Sequence, residues 1–172
     1  PSRYFGGSLD FLKKARPLVD KPILRKDFVV DEYQLFEARL AGADAVLLIA
    51  ADLKLQEARA LASMAHELGL EVLMELHSED ELDYASLDVD MVGVNNRDLG
   101  TFHTDVQNSF RLSASLPQDR VLVSESGLGN PQTVMLLRQA GFRGFLMGEH
   151  FMKADDPGME LARFISGIGN TL

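Results

Sequence analysis

Gly42-Ala43-Asp44-Ala45-Val46-Leu47-Leu48-Ile49-Ala50 is the stretch that decides how this chain folds. A short apolar run after a glycine turn is too brief for a membrane span and reads as a strand buried on both faces. The glycine marks where a preceding helix stops, because the residue just past a helix end takes the left-handed conformation most cheaply without a Cβ. The same order returns twice. Gly69-Leu70-Glu71 leads into Val72-Leu73-Met74, and Gly141-Phe142-Arg143 leads into Gly144-Phe145-Leu146-Met147. A helix that ends on glycine and feeds a continuously apolar strand is the unit of a parallel sheet lying between other layers.

The helices can be read outward from these turns. Asp31 can cap a helix carrying Leu35 and Ala38, and Ala58, Leu61, Ala62, Ala65 and Leu68 mark one face at a 3.6-residue period. Asn130-Pro131 is an N-cap followed by proline at the first helical position, with Val134, Leu137 and Ala140 as the stripe behind it. Strands are expected at Pro22–Lys26, Ala45–Ala50, Val72–Leu76, Met91–Asn95, Val121–Glu125 and Phe145–Gly148. Their starts lie roughly 20–29 residues apart, the spacing of repeated βα units. Six units fit residues 1–172 as a single domain without a linker. They could belong to a doubly wound sheet or to a (β/α)8 TIM barrel. No glycine-rich dinucleotide fingerprint follows any strand, and polar residues close strand after strand where a barrel gathers its active site. Both features favour the barrel.

Composition narrows the function classes. The 172 residues are 46% hydrophobic and 25% charged, as in an ordinary globular protein, and contain no cysteine, which excludes disulfides and thiolate metal sites. The net charge is −9, and no basic cluster exceeds Lys13-Lys14 with Arg16, a trio expected to face water, so no nucleic-acid partner is expected. No apolar run approaches a membrane span, and Pro1–Gly7 lacks signal-peptide order, so a cytoplasmic location and no membrane partner are the default expectation.

The strand ends carry the candidate chemistry. Leu24-Arg25-Lys26-Asp27-Phe28 closes an apolar strand on a lysine, whose desolvation at a barrel mouth would make it a usable general acid; the alternative is a lysine paired structurally with Asp27 or a neighbouring carboxylate. Glu75 interrupts Val72-Leu73-Met74-Glu75-Leu76, and a buried glutamate needs a partner. Facing Lys26 would supply one, in either a functional or a purely structural pair. His77, just beyond, is expected to be exposed or to bond within its loop. Gly93-Val94-Asn95-Asn96-Arg97-Asp98 offers Asn95 as donor and acceptor and Arg97 as an anion clamp, while Asn96 and Asp98 are expected only to shape the turn. Gly127 in Ser124-Glu125-Ser126-Gly127 and Gly148 in Met147-Gly148-Glu149-His150 could bring backbone N–H groups to a phosphate or be simple turns. A phosphate beside Gly148 would require the Glu149 carboxylate to point away.

Four stretches, Tyr4-Phe5-Gly6-Gly7-Ser8, Leu24–Asp31, Gly93–Leu99 and Val123–Gly127, together resemble the indole-3-glycerol phosphate synthase family in order and spacing. The resemblance spans nearly the whole chain. It implies a carboxy-lyase of tryptophan biosynthesis that converts 1-(2-carboxyphenylamino)-1-deoxyribulose 5-phosphate to indole-3-glycerol phosphate, carbon dioxide and water, with no metal or organic cofactor. It implies Lys26 as general acid and Glu75 as the second acid–base carboxylate. Asn95, Glu125 and Ser126 would orient the substrate, Arg97 would lie near its carboxylate, Phe5 and Phe28 would wall the pocket, and Gly127 and Gly148 would hold the phosphate. The six strands would be the family's third to eighth, with a Ser-Pro-Ser-Lys motif and a further catalytic lysine and glutamate missing before them. The chain alone is therefore expected to be inactive and either to self-associate through its sheet edges or to pair with the missing region. The alternatives are another phosphate-binding barrel, such as phosphoribosylanthranilate isomerase or a tryptophan synthase α subunit, and a non-catalytic fragment.

Overall fold

The computed structural model describes residues 8–169, so Phe5 and most of the first resembling stretch lie outside it. The chain divides into two compact units, the first ending at Leu76 but also taking in Asp83–Met91, the second formed by His77–Leu82 and the residues from Val92 onward.

In the first unit, helix α1 (Leu9–Ala15) precedes strand β1 (Leu24–Arg25), helix α2 (Glu32–Ala41), strand β2 (Ala45–Ile49), helix α3 (Leu55–Glu67) and strand β3 (Glu71–Leu76). The strands run parallel in chain order, with Leu24 opposite Ala45 and Ala45 to Ile49 opposite Glu71 to Glu75. All five residues of β2 are buried, as a continuously apolar strand requires when both faces are covered. The covering side chains are those the periodicity marked: Leu35 and Ala38 from α2, Ala58, Leu61, Ala62 and Ala65 from α3. Three alanines on one stripe of α3 let that helix approach closely. Burial of a side chain such as Leu48 or Met74, both fully enclosed, contributes about 1.5–3 kcal/mol.

The turn before β2 is locked from outside. Gly42 ends α2 at φ 92°, and a Cβ there would lie 2.8 Å from Arg16 Cγ. The Arg16 guanidinium donates to Asp44 at 2.7 Å and to the Gly42 carbonyl at 3.2 Å. Asp44 also accepts from the Ile23 amide at 2.7 Å. That backbone bond, with Arg16 behind it, holds the Asp44 carboxyl below the ordinary carboxylate range. Lys13 and Lys14 face water as expected, but Arg16 does not, because it is the clasp on the βα turn.

The second unit contains strand β4 (Met91–Asn95), helix α4 (Gln107–Ser113), strand β5 (Val121–Glu125), helix α5 (Pro131–Gln139), strand β6 (Gly144–Leu146) and helices α6 (Glu149–Met152) and α7 (Pro157–Gly169). The order β4, β5, β6 again follows the chain, with Val123 to Glu125 parallel and opposite Gly144 to Leu146. The Asn130 side chain caps α5 by accepting from the Gln132 amide at 2.9 Å, and Val134 and Leu137 turn inward with Phe142.

Three strands are shorter than the sequence suggests; β2 ends at Ile49 rather than Ala50, where a short 3-10 turn begins. β1 covers only Leu24–Arg25 within the expected Pro22–Lys26; Pro22 has no N–H to give to a ladder. β6 stops at Leu146, short of Gly148, because the Gly148 carbonyl instead accepts from Met152 and starts α6. Helices α4, α6 and α7 carry no signal that the periodicity analysis picked out. Among the described residues no helix is long and apolar enough to cross a membrane, and no cluster of three or more histidine, aspartate or glutamate side chains could hold a metal ion.

Candidate active site

Each unit brings together its own set of the expected residues. In the first, Lys26 stands just past β1 and Glu75 sits near the end of β3. The two strands are separated by β2, and the long lysine side chain bridges its end: Lys26 Nζ lies 3.2 Å from Glu75 Oε2. Glu75 is 1% exposed between the enclosed Met74 and Leu76, so its charge is tolerable only with partners. Half of the Lys26 side chain remains accessible, so a part-buried lysine stands beside an enclosed carboxylate. Asp27 is not the partner of Lys26. Asp27 accepts from the buried Arg25 at 3.1 Å, and Arg25 also donates to the Gln34 carbonyl at 2.6 Å and approaches Glu37 at 3.4 Å. Arg25 thus ties β1 to α2 and leaves Lys26 for Glu75. The sequence reading passed over this anchor, although two cations in succession at the end of an apolar strand were a signal for one inward and one outward charge. Phe28 is 44% exposed, with its amide on Asp27 at 2.9 Å and its carbonyl receiving Gln34 at 2.8 Å.

In the second unit, Asn95 closes β4 and its side-chain oxygen accepts from the Arg97 amide and from the Ser126 hydroxyl, both at 3.0 Å. Glu125 is buried at the end of β5. Ser126 is one of two non-glycine described residues in the left-handed region, at φ 70°, and Gly127 follows at φ 73°. A Cβ on Gly127 would lie 2.6 Å from Thr104 Cγ2, so glycine is demanded there by conformation and by space. Because Glu125 pairs with Leu146, the turns bearing Gly127 and Gly148 follow neighbouring strand ends. Gly148 itself has φ −119° and open space where a Cβ would be. The Glu149 carboxylate is engaged elsewhere, accepting from Arg97 at 2.5 Å and from Lys153 at 2.6 Å. Lys153, then Arg97, hold it below the ordinary carboxylate range.

The loop after β4 folds back on itself through an isolated bridge between Arg97 and Thr104. Asp98 shapes it, accepting from the Gly100 and Thr101 amides at 2.9 and 2.6 Å. Those bonds, the Thr101 amide first, hold its carboxyl below the usual range. Asn96 does not merely shape the turn, contrary to expectation. It is 3% exposed and bonds to Ser109, Ser124 and the Ser126 carbonyl. Ser109 was missed altogether, although it shares the inward stripe of α4 with Leu112, and a polar residue on an apolar stripe is a readable sign of an internal partner. His77 bonds within its loop, its amide donating to Glu81 at 2.6 Å.

Comparison with known proteins adds a second, independent line. A family model described as indole-3-glycerol phosphate synthase matches residues 1–164. The indole-3-glycerol phosphate synthase of Bacteroides thetaiotaomicron is 61% identical over 166 residues, covering 96% of this chain and 64% of that protein. The one from a Polaromonas species (strain JS666) is 48% identical over 162 residues, covering 94% and 61%. The chain thus spans a little over three-fifths of the length of these relatives. Among solved structures, a mutant tryptophan synthase alpha-subunit from Pyrococcus furiosus aligns with TM-score 0.70 at 16% identity, covering 94% of this chain and 72% of that one. KGPDC from Streptococcus mutans aligns with TM-score 0.73 at 15% identity, covering 94% and 78%. At such identities the likeness speaks for the fold alone, a (β/α) barrel type of which this chain supplies six βα units.

Proposed function

Because this chain belongs to the indole-3-glycerol phosphate synthase family, we propose that it serves the reaction the family is named for. That is the conversion of 1-(2-carboxyphenylamino)-1-deoxyribulose 5-phosphate to indole-3-glycerol phosphate with loss of carbon dioxide and water. The observation that carries the reading is the Lys26–Glu75 pair, the ammonium of a half-buried lysine 3.2 Å from a buried carboxylate at the ends of parallel strands.

Ring closure needs a proton on the ketone oxygen while the aromatic carbon bearing the carboxylate attacks the carbonyl carbon. Lys26 is the donor in this scheme. Its exposed half lets the ammonium reach a ligand, and Glu75 holds it in place and can return a proton to it. Loss of carbon dioxide restores the aromatic ring; the hydroxyl formed from the ketone then leaves as water, taking up a second proton, while the adjacent ring carbon gives its proton to the Glu75 carboxylate as the new carbon–carbon double bond forms. Asn95 and Ser126, already bonded to each other, and the buried Glu125 orient the substrate. Arg97 attracts its carboxylate, and Phe28 contributes apolar wall. Gly127 and Gly148 present backbone to the phosphate; the neighbouring strand ends that bear them and the engagement of Glu149 away from that backbone support this role.

The test is a synthase assay on the full-length protein with Lys26→Ala and Glu75→Gln. The expected result is a turnover loss of at least about 10²-fold in each, the scale of losing an acid–base group, with a smaller effect on KM. Near-normal turnover in either variant removes that residue from the mechanism.

A further inference from the structure

Three side chains buried in the second unit form a closed ring of hydrogen bonds. Asn96 Oδ1 accepts from the Ser109 hydroxyl at 2.8 Å and the Ser109 amide at 3.1 Å. Having given its proton to Asn96, the Ser109 oxygen can only accept from the Ser124 hydroxyl, 2.8 Å away. Ser124 in turn accepts from Asn96 Nδ2 at 3.1 Å. Protons therefore point one way round, from Asn96 to Ser124 to Ser109 and back to Asn96. Such rings reinforce themselves in a dry interior, and this one is dry: Ser109 and Ser124 are 0% exposed and Asn96 3%. The second proton of Asn96 Nδ2 leaves the ring and is given to the Ser126 carbonyl at 3.0 Å. The Asn96 amide holds the Glu125 carbonyl at 2.9 Å.

That outgoing bond lands on a strained residue. Ser126 sits at φ 70°, a conformation that persists for a serine only when its surroundings impose it. The bond from the Leu146 side, Ser126 N to Leu146 O, is long at 3.4 Å. Relaxation of Ser126 to an extended conformation would swing its hydroxyl off Asn95.

We propose that Asn96, Ser109 and Ser124 are positioning residues: their ring holds the Ser126 carbonyl, and thereby the left-handed turn that aims the Ser126 hydroxyl at Asn95 for the reaction. This rests on the proposed synthase function. Asn96→Asp is nearly isosteric but breaks the ring, because a carboxylate cannot donate to Ser124 and repels the Ser126 carbonyl. In the full-length protein Asn96→Asp should lower kcat about 10- to 100-fold, the scale of a small misplacement of a reacting group, with KM changed less than about threefold. In a Ser126→Ala background the same change should cost almost nothing more, since nothing is left to aim. Losses that simply multiply, or an unchanged kcat, overturn the proposal. Ser124→Ala and Ser109→Ala break the ring more gently and are read by the same cycle if Asn96→Asp does not fold. NMR chemical shifts of Ser126 in the Asn96→Asp and Ser124→Ala proteins give a reading independent of turnover. They should leave the left-handed range, and shifts that stay as in the wild type overturn the ring's role. Should the wild type show no synthase turnover, the proposed function falls while these shifts still decide the ring.

Discussion

The two units hold their chemistry in opposite ways. In the first, the ion pair between Lys26 and Glu75 bridges two strand ends, with the flanking Arg25 absorbed by Asp27, Glu37 and a helix carbonyl. In the second, neutral amides and hydroxyls interlock, and the candidate group Ser126 is kept in a strained conformation by them. The second unit has charged groups too, in Glu125 and Arg97, but the difference teaches that the proposed proton donor is held by a charged partner and Ser126 by neutral ones. An ion pair tolerates small displacements because its attraction falls off slowly with distance. A hydrogen-bond ring is directional and fails abruptly when one member changes.

The largest expected effect is on the charged side. Lys26→Ala and Glu75→Gln should each cost at least about 10²-fold in turnover, and steady-state kinetics that show less would remove the distinction between the two regions. Next comes the turn on the neutral side. Gly127→Ala places a methyl group in a left-handed position and within 2.6 Å of Thr104 Cγ2. It should destabilise the protein by about 1–3 kcal/mol and weaken binding of inorganic phosphate, measured by denaturant unfolding and calorimetry. A variant as stable as the parent would mean that the turn is not held as described.

A smaller effect belongs to the clasp on the first unit. Asp44 has its carboxyl lowered in the folded state by the Ile23 amide and Arg16. A depressed carboxylate contributes stability above its unfolded value and loses it as the pH falls through the folded one, so this contribution should fade below the ordinary carboxylate range. Asp44→Asn should remove that part of the acid limb in melting curves recorded against pH; an unchanged limb would mean that the clasp adds nothing measurable. The smallest effect is expected at Glu149, which is exposed and paired with Arg97 and Lys153. Glu149→Gln frees the Arg97 guanidinium and should lower KM for the anionic substrate about twofold, the reach of a solvent-exposed pair. A raised KM would show that Glu149 assists binding.

Much of this was legible in the sequence, and the reasons are physical. The turn glycines announced the βα units because nothing else adopts φ 92° or φ 107° so readily, as Gly42 and Gly141 do. Glu75 and Lys26 stood out because a charge inside or at the end of an apolar run must be explained. The ring of Asn96, Ser109 and Ser124 was not read as a unit because its members look like separate turn, helix-start and strand-end residues, and their burial depends on partners 13 to 28 positions apart. Arg16 was misplaced for the same reason: its partner Asp44 lies 28 positions away. Helix α4 escaped because Ser109 occupies the apolar stripe that would have declared it.

The most direct test is a double-mutant cycle on Lys26→Ala and Glu75→Gln in the full-length protein, with kcat and melting temperature measured on the same samples. If the two exchange a proton as one unit, the double variant should turn over no more slowly than the worse single variant, with the losses far from multiplicative. A purely structural ion pair would instead lower the melting temperature of the single variants and leave kcat of the folded protein close to that of the parent, and that result would contradict the assignment of the chemistry to Lys26 and Glu75.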